Sequence, residues 1–208
     1  MDSPLYIIIV LIIILVSVIL HELAHGIVAY LLGDHTAKDA GRLTLNPIKH
    51  IDPVMSILVP VVLYLMRAPV FGGAKPVPIN SHNLKGREWG LALVAIAGPL
   101  TNLLIAFVAF LIARFSGIFY DQGMAYFIFT EIIFINLGFM LFNLIPIPPL
   151  DGSRVLYAFS PDVIRNFMTR IEQYGFIIVY LLIFLFGDVF SSLMVNGMNW
   201  FVDLFNMI

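Results

Sequence analysis

Residues 5–25 read LYIIIVLIIILVSVILHELAH. From Leu5 to Leu20 the run is apolar, interrupted only by Ser17. A run of this kind predicts a transmembrane helix, for which about 20 residues suffice. The pattern continues to Leu32 and meets Gly33, a good helix stop. A helix over 5–32 would be roughly 42 Å long at about 1.5 Å per residue, so it crosses a bilayer and projects beyond it. No basic segment precedes the run and no small-residue cleavage site follows Leu20, so a signal peptide is set aside.

The rest of the chain agrees. Of 208 residues, 61% are hydrophobic and 12% charged, with a mean hydropathy of +0.99. Soluble domains hold about 45–50% apolar and about 25% charged residues. A soluble enzyme and a disordered chain are both excluded. The net charge of −2 offers no basic surface for nucleic acid. There is no cysteine, so a transition-metal site must come from five histidines and thirteen acids. Polar groups placed within a bilayer are costly and therefore informative.

Further spans are expected at 89–113 and 124–145, the latter ended by Pro146, Pro148 and Pro149. Residues 54–66 are apolar but short, which suits a re-entrant or interfacial segment. The stretch 71–80, FGGAKPVPIN, reads as extended chain or turns. Residues 150–173 form a polar connector with some helix. A further span begins at 174–186, Gly187-Asp188 interrupts it, and 189–208 is apolar again; one broken helix or two short ones are both open. The expected fold is an all-α polytopic membrane protein of about 4–5 transmembrane helices with a re-entrant or extended segment near 54–80. Residues 1–208 form one integral membrane domain, with a catalytic core over about 5–160 and C-terminal helices over 174–208.

Basic residues give the orientation. Loops 33–53, 67–88 and 151–173 carry three, four and three, loop 114–123 only Arg114, and the segment before Leu5 none. The N-terminus is thus expected outside, with every basic loop in the cytoplasm.

His21-Glu22-Leu23-Ala24-His25 places two imidazoles at i and i+4 on one helix face, where both reach one metal ion. Glu22, about 100° around the helix, can take a proton from a water activated there. Zinc suits imidazole nitrogen. Two histidines decorating a helix end would be the bland reading, but three ionisable groups deep in a span weigh against it. A catalytic zinc needs a third protein ligand. Asp151, following the proline-broken end of the 124–145 span, is the candidate; alone it reads as a turn-capping Asp before Gly152. Beside a two-histidine site lacking a ligand, the ligand reading is favoured. Glu131 competes but lies in the outer half of its span.

HELAH at 21–25, GPLTN at 98–102 and FNLIPIPPLDG at 142–152 together resemble the site-2 protease family of intramembrane zinc metalloproteases. NPIKHIDP at 46–53 and AKPVPIN at 74–80 are similar to its small prokaryotic branch, without PDZ or CBS domains. The resemblance covers most of 10–160. It implies His21, His25 and Asp151 as Zn2+ ligands, Glu22 as general base, and Asn143 as the residue that positions substrate backbone or stabilises the oxyanion. An interhelical hydrogen bond explains Asn143 equally well. Asn102 is read as packing glue, with Gly98 allowing close helix approach. His50 and Asp52 are given loop and cap roles ahead of metal or substrate contact. Family members with six spans carry a helix before the zinc helix, and this chain begins at that helix.

The function expected is hydrolysis of peptide bonds within transmembrane helices of membrane-protein substrates, in the cell membrane of a prokaryote, with the zinc site towards the cytoplasm. The partners are that substrate and the lipid bilayer, no nucleic acid is expected, and a homo-oligomer is left open. The broken segment 54–80 is where an unwound substrate strand could pair by β-addition. The alternative is a metal or proton transporter using the same His, Glu and Asp side chains as a pathway. Against it, sixteen residues without a polar stepping stone precede His21, and no internal repeat is visible. An inactive scaffold is disfavoured by the intact motif set.

Overall fold

Helix α1 (Pro4–Leu31) stops within a residue of the expected place, and Gly33 follows with φ +102°, the left-handed turn that glycine adopts without strain. The computed structural model describes residues 4–53, 58–65, 73–121 and 123–207. Eight further α-helices follow α1 among them: α2 (Thr36–Asp39), α3 (Val59–Leu65), α4 (Glu88–Phe115), α5 (Met124–Asn143), α6 (Asp151–Phe159), α7 (Asp162–Glu172), α8 (Gly175–Leu185) and α9 (Gly187–Asn206). The described residues contain no strand, and the protein is all-helical.

Three helices, α1, α4 and α5, are long and apolar enough to cross a membrane. Helices α7 and α8 form a pair bent by 84°, which makes up to four spans if the pair counts as one. The C-terminal segment expected over 174–208 holds two helices, α8 and α9, parted at Phe186. The re-entrant segment expected at 54–66 falls partly on 54–57 and 66, outside the described residues; within it lies α3. Residues 71–72 are likewise outside, while 73–80 is extended as expected.

Helix α4 is the hub, packing on α1, α5 and α6. Its buried face is mostly small: Ala92, Ala95, Gly98, Ala106, Ala109 and Ala113. Small side chains let helix backbones approach closely, which is how helices associate where lipid is as apolar as leucine. Its opposite face, with Leu93, Leu100, Leu104 and Ile112, is exposed, as are Ile7, Ile8, Leu11 and Ile12 of α1. These are apolar surfaces suited to lipid. Phe110, Leu137, Met140 and Phe205 join α4, α5 and α9 in the main core.

The start of α6 is wedged against the end of α5. A Cβ on Gly152 would lie 2.1 Å from the Leu144 carbonyl oxygen, so any larger residue forces the backbone to shift. This close approach returns the chain towards α1 immediately after the prolines.

Candidate metal centre and its relatives

His21 and His25, one turn apart on α1, bring their Nε2 atoms to 2.9 Å, and Asp151 in the first turn of α6 places Oδ2 3.2 and 3.3 Å from them. Both histidines are buried and Asp151 is half-buried. Each imidazole is tied on its far side. His25 Nδ1 lies 2.7 Å from the Val94 carbonyl, which can only accept, so the proton sits on Nδ1 and Nε2 presents a lone pair. His21 Nδ1 donates to Asn102 Oδ1 at 2.6 Å, with the same result. Asp151 Oδ2 is buried without a hydrogen-bond partner.

Three acceptor atoms thus face one another with nothing to donate between them. Such an arrangement is unfavourable unless a cation lies among them. Ligand atoms about 2.0–2.1 Å from a tetrahedral zinc stand about 3.3 Å apart, close to the three distances here. The residues fit the ion, and the His-His-Asp set is a candidate zinc site. Among the described residues Glu131 is not part of this cluster.

Gly98 makes the approach possible. A Cβ there would lie 2.5 Å from His25 Nε2 and 2.6 Å from His21 Nε2. Asn102, one turn further along α4, does more than fill space, because it also holds His21.

The cluster opens into a cavity of about 550 Å³ that Glu22, Asn143 and Val77 also line. Glu22 Oε2 accepts from the Val77 N–H at 2.8 Å. Asn143 donates from Nδ2 to the Phe139 carbonyl of its own helix at 3.0 Å. The fold brings His21, Glu22, His25, Asp151 and Asn143 to one cavity.

Val77 belongs to an extended strap, 73–80, held largely through its main chain. Lys75 N–H donates to the His50 carbonyl at 2.8 Å, and buried Arg42 donates from Nη2 to the Lys75 carbonyl at 2.6 Å. The Asn80 N–H donates to Asp34 Oδ2 at 2.7 Å, and Asn83 Nδ2 to Asp34 Oδ1 at 3.2 Å. Burial would push the Asp34 carboxyl up, but hydrogen bonds from Thr36, Asn80 and Asn83 outweigh it and hold the pKa below the usual carboxylate range. His50 is buried and donates to the Thr44 carbonyl at 2.8 Å, a loop role as expected. The cap expected of Asp52 falls on 54–57, outside the described residues.

Asp34 and Arg42 were not foreseen. Asp34-His35-Thr36 carries a turn signal, an Asp two residues before a hydroxyl. Nothing local reveals that Asp34 also reaches residues 80 and 83.

Residues 114–186 match Peptidase family M50. The chain is 44% identical over 176 residues to a Bacillus subtilis protein named "Putative zinc metalloprotease YwhC", covering 82% of this chain and 77% of that one. It is 32% identical over 194 residues to "Putative zinc metalloprotease Rip2" of Mycolicibacterium smegmatis, covering 91% and 71%. Over 87 residues, 42% of this chain and 27% of the relative, it is 33% identical to "Stage IV sporulation protein FB" of Bacillus subtilis. No solved structure matches the chain. A multi-pass helical membrane protein with a His-His-Asp cluster, and with this identity over most of both chains, belongs to peptidase family M50, the site-2 protease family of zinc metalloproteases.

Proposed function

We propose that the protein hydrolyses peptide bonds within transmembrane helices of other membrane proteins. The observation that carries this reading is the convergence of His21, His25, Asp151 and Glu22 on one cavity beside a membrane-crossing helix. His21 lies seventeen residues into α1, about 26 Å along it at about 1.5 Å per residue. A substrate reaching it must itself enter the bilayer.

Zinc held by His21 Nε2, His25 Nε2 and Asp151 Oδ2 would lower the pKa of water to about 7 and polarise the scissile carbonyl. Glu22, with one oxygen held by the Val77 N–H, takes a proton from the attacking water and returns it to the leaving amine. Asn143 keeps one Nδ2 hydrogen on Phe139 and offers the second to the substrate backbone or to the developing oxyanion.

A transmembrane substrate has its amides bonded internally and must unwind before attack. The strap 73–80 lies beside the cavity and is where an unwound segment would rest. Pro76 and Pro78 supply no N–H, so a substrate strand would be received chiefly by strap carbonyls. The basic loops support a cytoplasmic site and an N-terminus outside, and the bacterial relatives support a prokaryotic cell membrane as the location.

The test is Glu22→Gln with a reporter transmembrane peptide. The expected variant retains about one zinc per chain and loses cleavage by about 10²-fold or more. Normal cleavage by a zinc-loaded variant overturns the proposal.

A further inference from the structure

Behind His21 runs a chain of buried amides that nothing in the zinc chemistry itself requires. Asn102 of α4 and Asn136 of α5 are both fully buried, and Ser17 of α1 is nearly so. Asn102 Nδ2 donates to Asn136 Oδ1 at 2.8 Å. Asn136 Nδ2 donates to the Ile132 carbonyl at 2.8 Å and to Ser17 Oγ at 2.9 Å. Three helices thus contribute one polar thread inside an apolar bundle, where an unsatisfied amide would be costly.

The direction of this thread is fixed at its far end. A side-chain amide has an oxygen end and a nitrogen end, and either could face a neighbour of the same kind. A hydroxyl such as Ser17 can donate or accept, so it imposes no direction. The Ile132 carbonyl can only accept. It therefore holds Asn136 Nδ2 on its own side and turns Oδ1 towards Asn102. Asn102 must then present Nδ2 to Asn136, which leaves Oδ1 for His21. An oxygen at that place requires the proton on His21 Nδ1 and leaves the lone pair on Nε2, facing His25 and Asp151.

We infer that Asn136 is a positioning residue for the metal site: through Asn102 it fixes which nitrogen of His21 faces zinc, although Asn136 lies on another helix and touches no ligand. His25 needs no such relay, because the Val94 carbonyl fixes its tautomer directly. The inference rests on reading His21, His25 and Asp151 as the zinc site.

The test uses the full chain in detergent, with zinc affinity measured by chelator competition and the cobalt-substituted absorption spectrum as a second readout. Asn136→Leu, which keeps the branched shape and removes both polar atoms, is expected to weaken zinc about 10–100-fold, the range typical of partners behind a metal ligand, and to shift the cobalt bands. Asn136→Asp, whose protonated carboxyl can donate to Ile132 and accept from Asn102, is expected to restore affinity. Ser17→Ala is expected to stay within about threefold of wild type, since Ile132 still orients Asn136. Leu137→Ala, a core truncation on the same helix, is expected to lower the melting temperature and leave zinc affinity unchanged. If Asn136→Leu does not fold, Asn136→Ala takes its place with the same expectation.

Wild-type affinity in Asn136→Leu or Asn136→Ala overturns the relay. So does equal weakening by Ser17→Ala, or by Leu137→Ala, which would make the effect one of packing. His25→Ala is run alongside: its loss of zinc supports the site on which the relay rests, and its retention of zinc overturns site and relay together.

Discussion

The Val77 N–H donates to Glu22 Oε2 at 2.8 Å, across 55 positions of sequence. The proposed general base is thus held by main chain, not by another side chain. Val77→Pro removes this donor and no other polar atom. Zinc content is expected to stay at wild-type level while the turnover of a reporter peptide drops about 10²-fold, the scale of an ångström's misplacement. Parallel zinc analysis and cleavage kinetics check both halves.

Gly98 sits against both Nε2 atoms, and a Cβ there would come within 2.5 Å of His25 Nε2. In most helix interiors Gly→Ala is favourable by about 1 kcal/mol. Here the methyl group occupies the space where the ligand atoms meet. Gly98→Ala is expected to weaken zinc by about 10–100-fold while the helix content by circular dichroism is retained. An unchanged affinity would show that α4 does not set the ligand spacing.

Gly152→Ala addresses the third ligand from its neighbour. The added Cβ would meet the Leu144 oxygen at 2.1 Å, and backbone cannot yield as a flexible side chain does. Overpacking of this kind costs about 1–3 kcal/mol. The start of α6 must shift, carrying Asp151 with it. A lowered melting temperature together with weaker zinc binding is expected, and a fall in stability with zinc binding intact would separate the two effects.

Asp34 gives a dependence on pH. Its native pKa lies below the unfolded value, so the charged form is favoured in the folded protein. The stabilisation is complete above the unfolded pKa of about 4 and is lost as pH falls from there through the native pKa. Asp34→Ala, which removes a buried acceptor of several hydrogen bonds, is expected to cost about 1–3 kcal/mol at pH 7. The gap in melting temperature between wild type and variant should be constant from pH 7 to about 5 and shrink below about 4. A gap that widens on acidification would contradict the sign.

Much of the site was legible because its spacing is local. His21 and His25 share a helix face by the geometry of one turn, and Asp151 follows a proline break that any reading marks. The spans were legible from hydropathy, which reports burial in lipid or protein directly. The break at Phe186 is not legible, because an apolar run does not tell a bent helix from two. Asn102 reads as packing glue in the sequence because its partner, His21, lies 81 positions away on another helix. Arg42 left no trace because it binds main-chain carbonyls, and every residue has one.

Anchorage through main-chain atoms bears on how the strap can change over time. Its anchors at Lys75, Val77 and Asn80 grip backbone atoms, while Ala74 and Ile79 line the cavity without serving as anchors. Substitution at those two positions leaves every anchor in place. Under the proposed function, preference among target sequences drifts through point mutation at these positions while the main-chain anchors keep the strap in place: one part of it is inherited as a fixture and the other is open to selection.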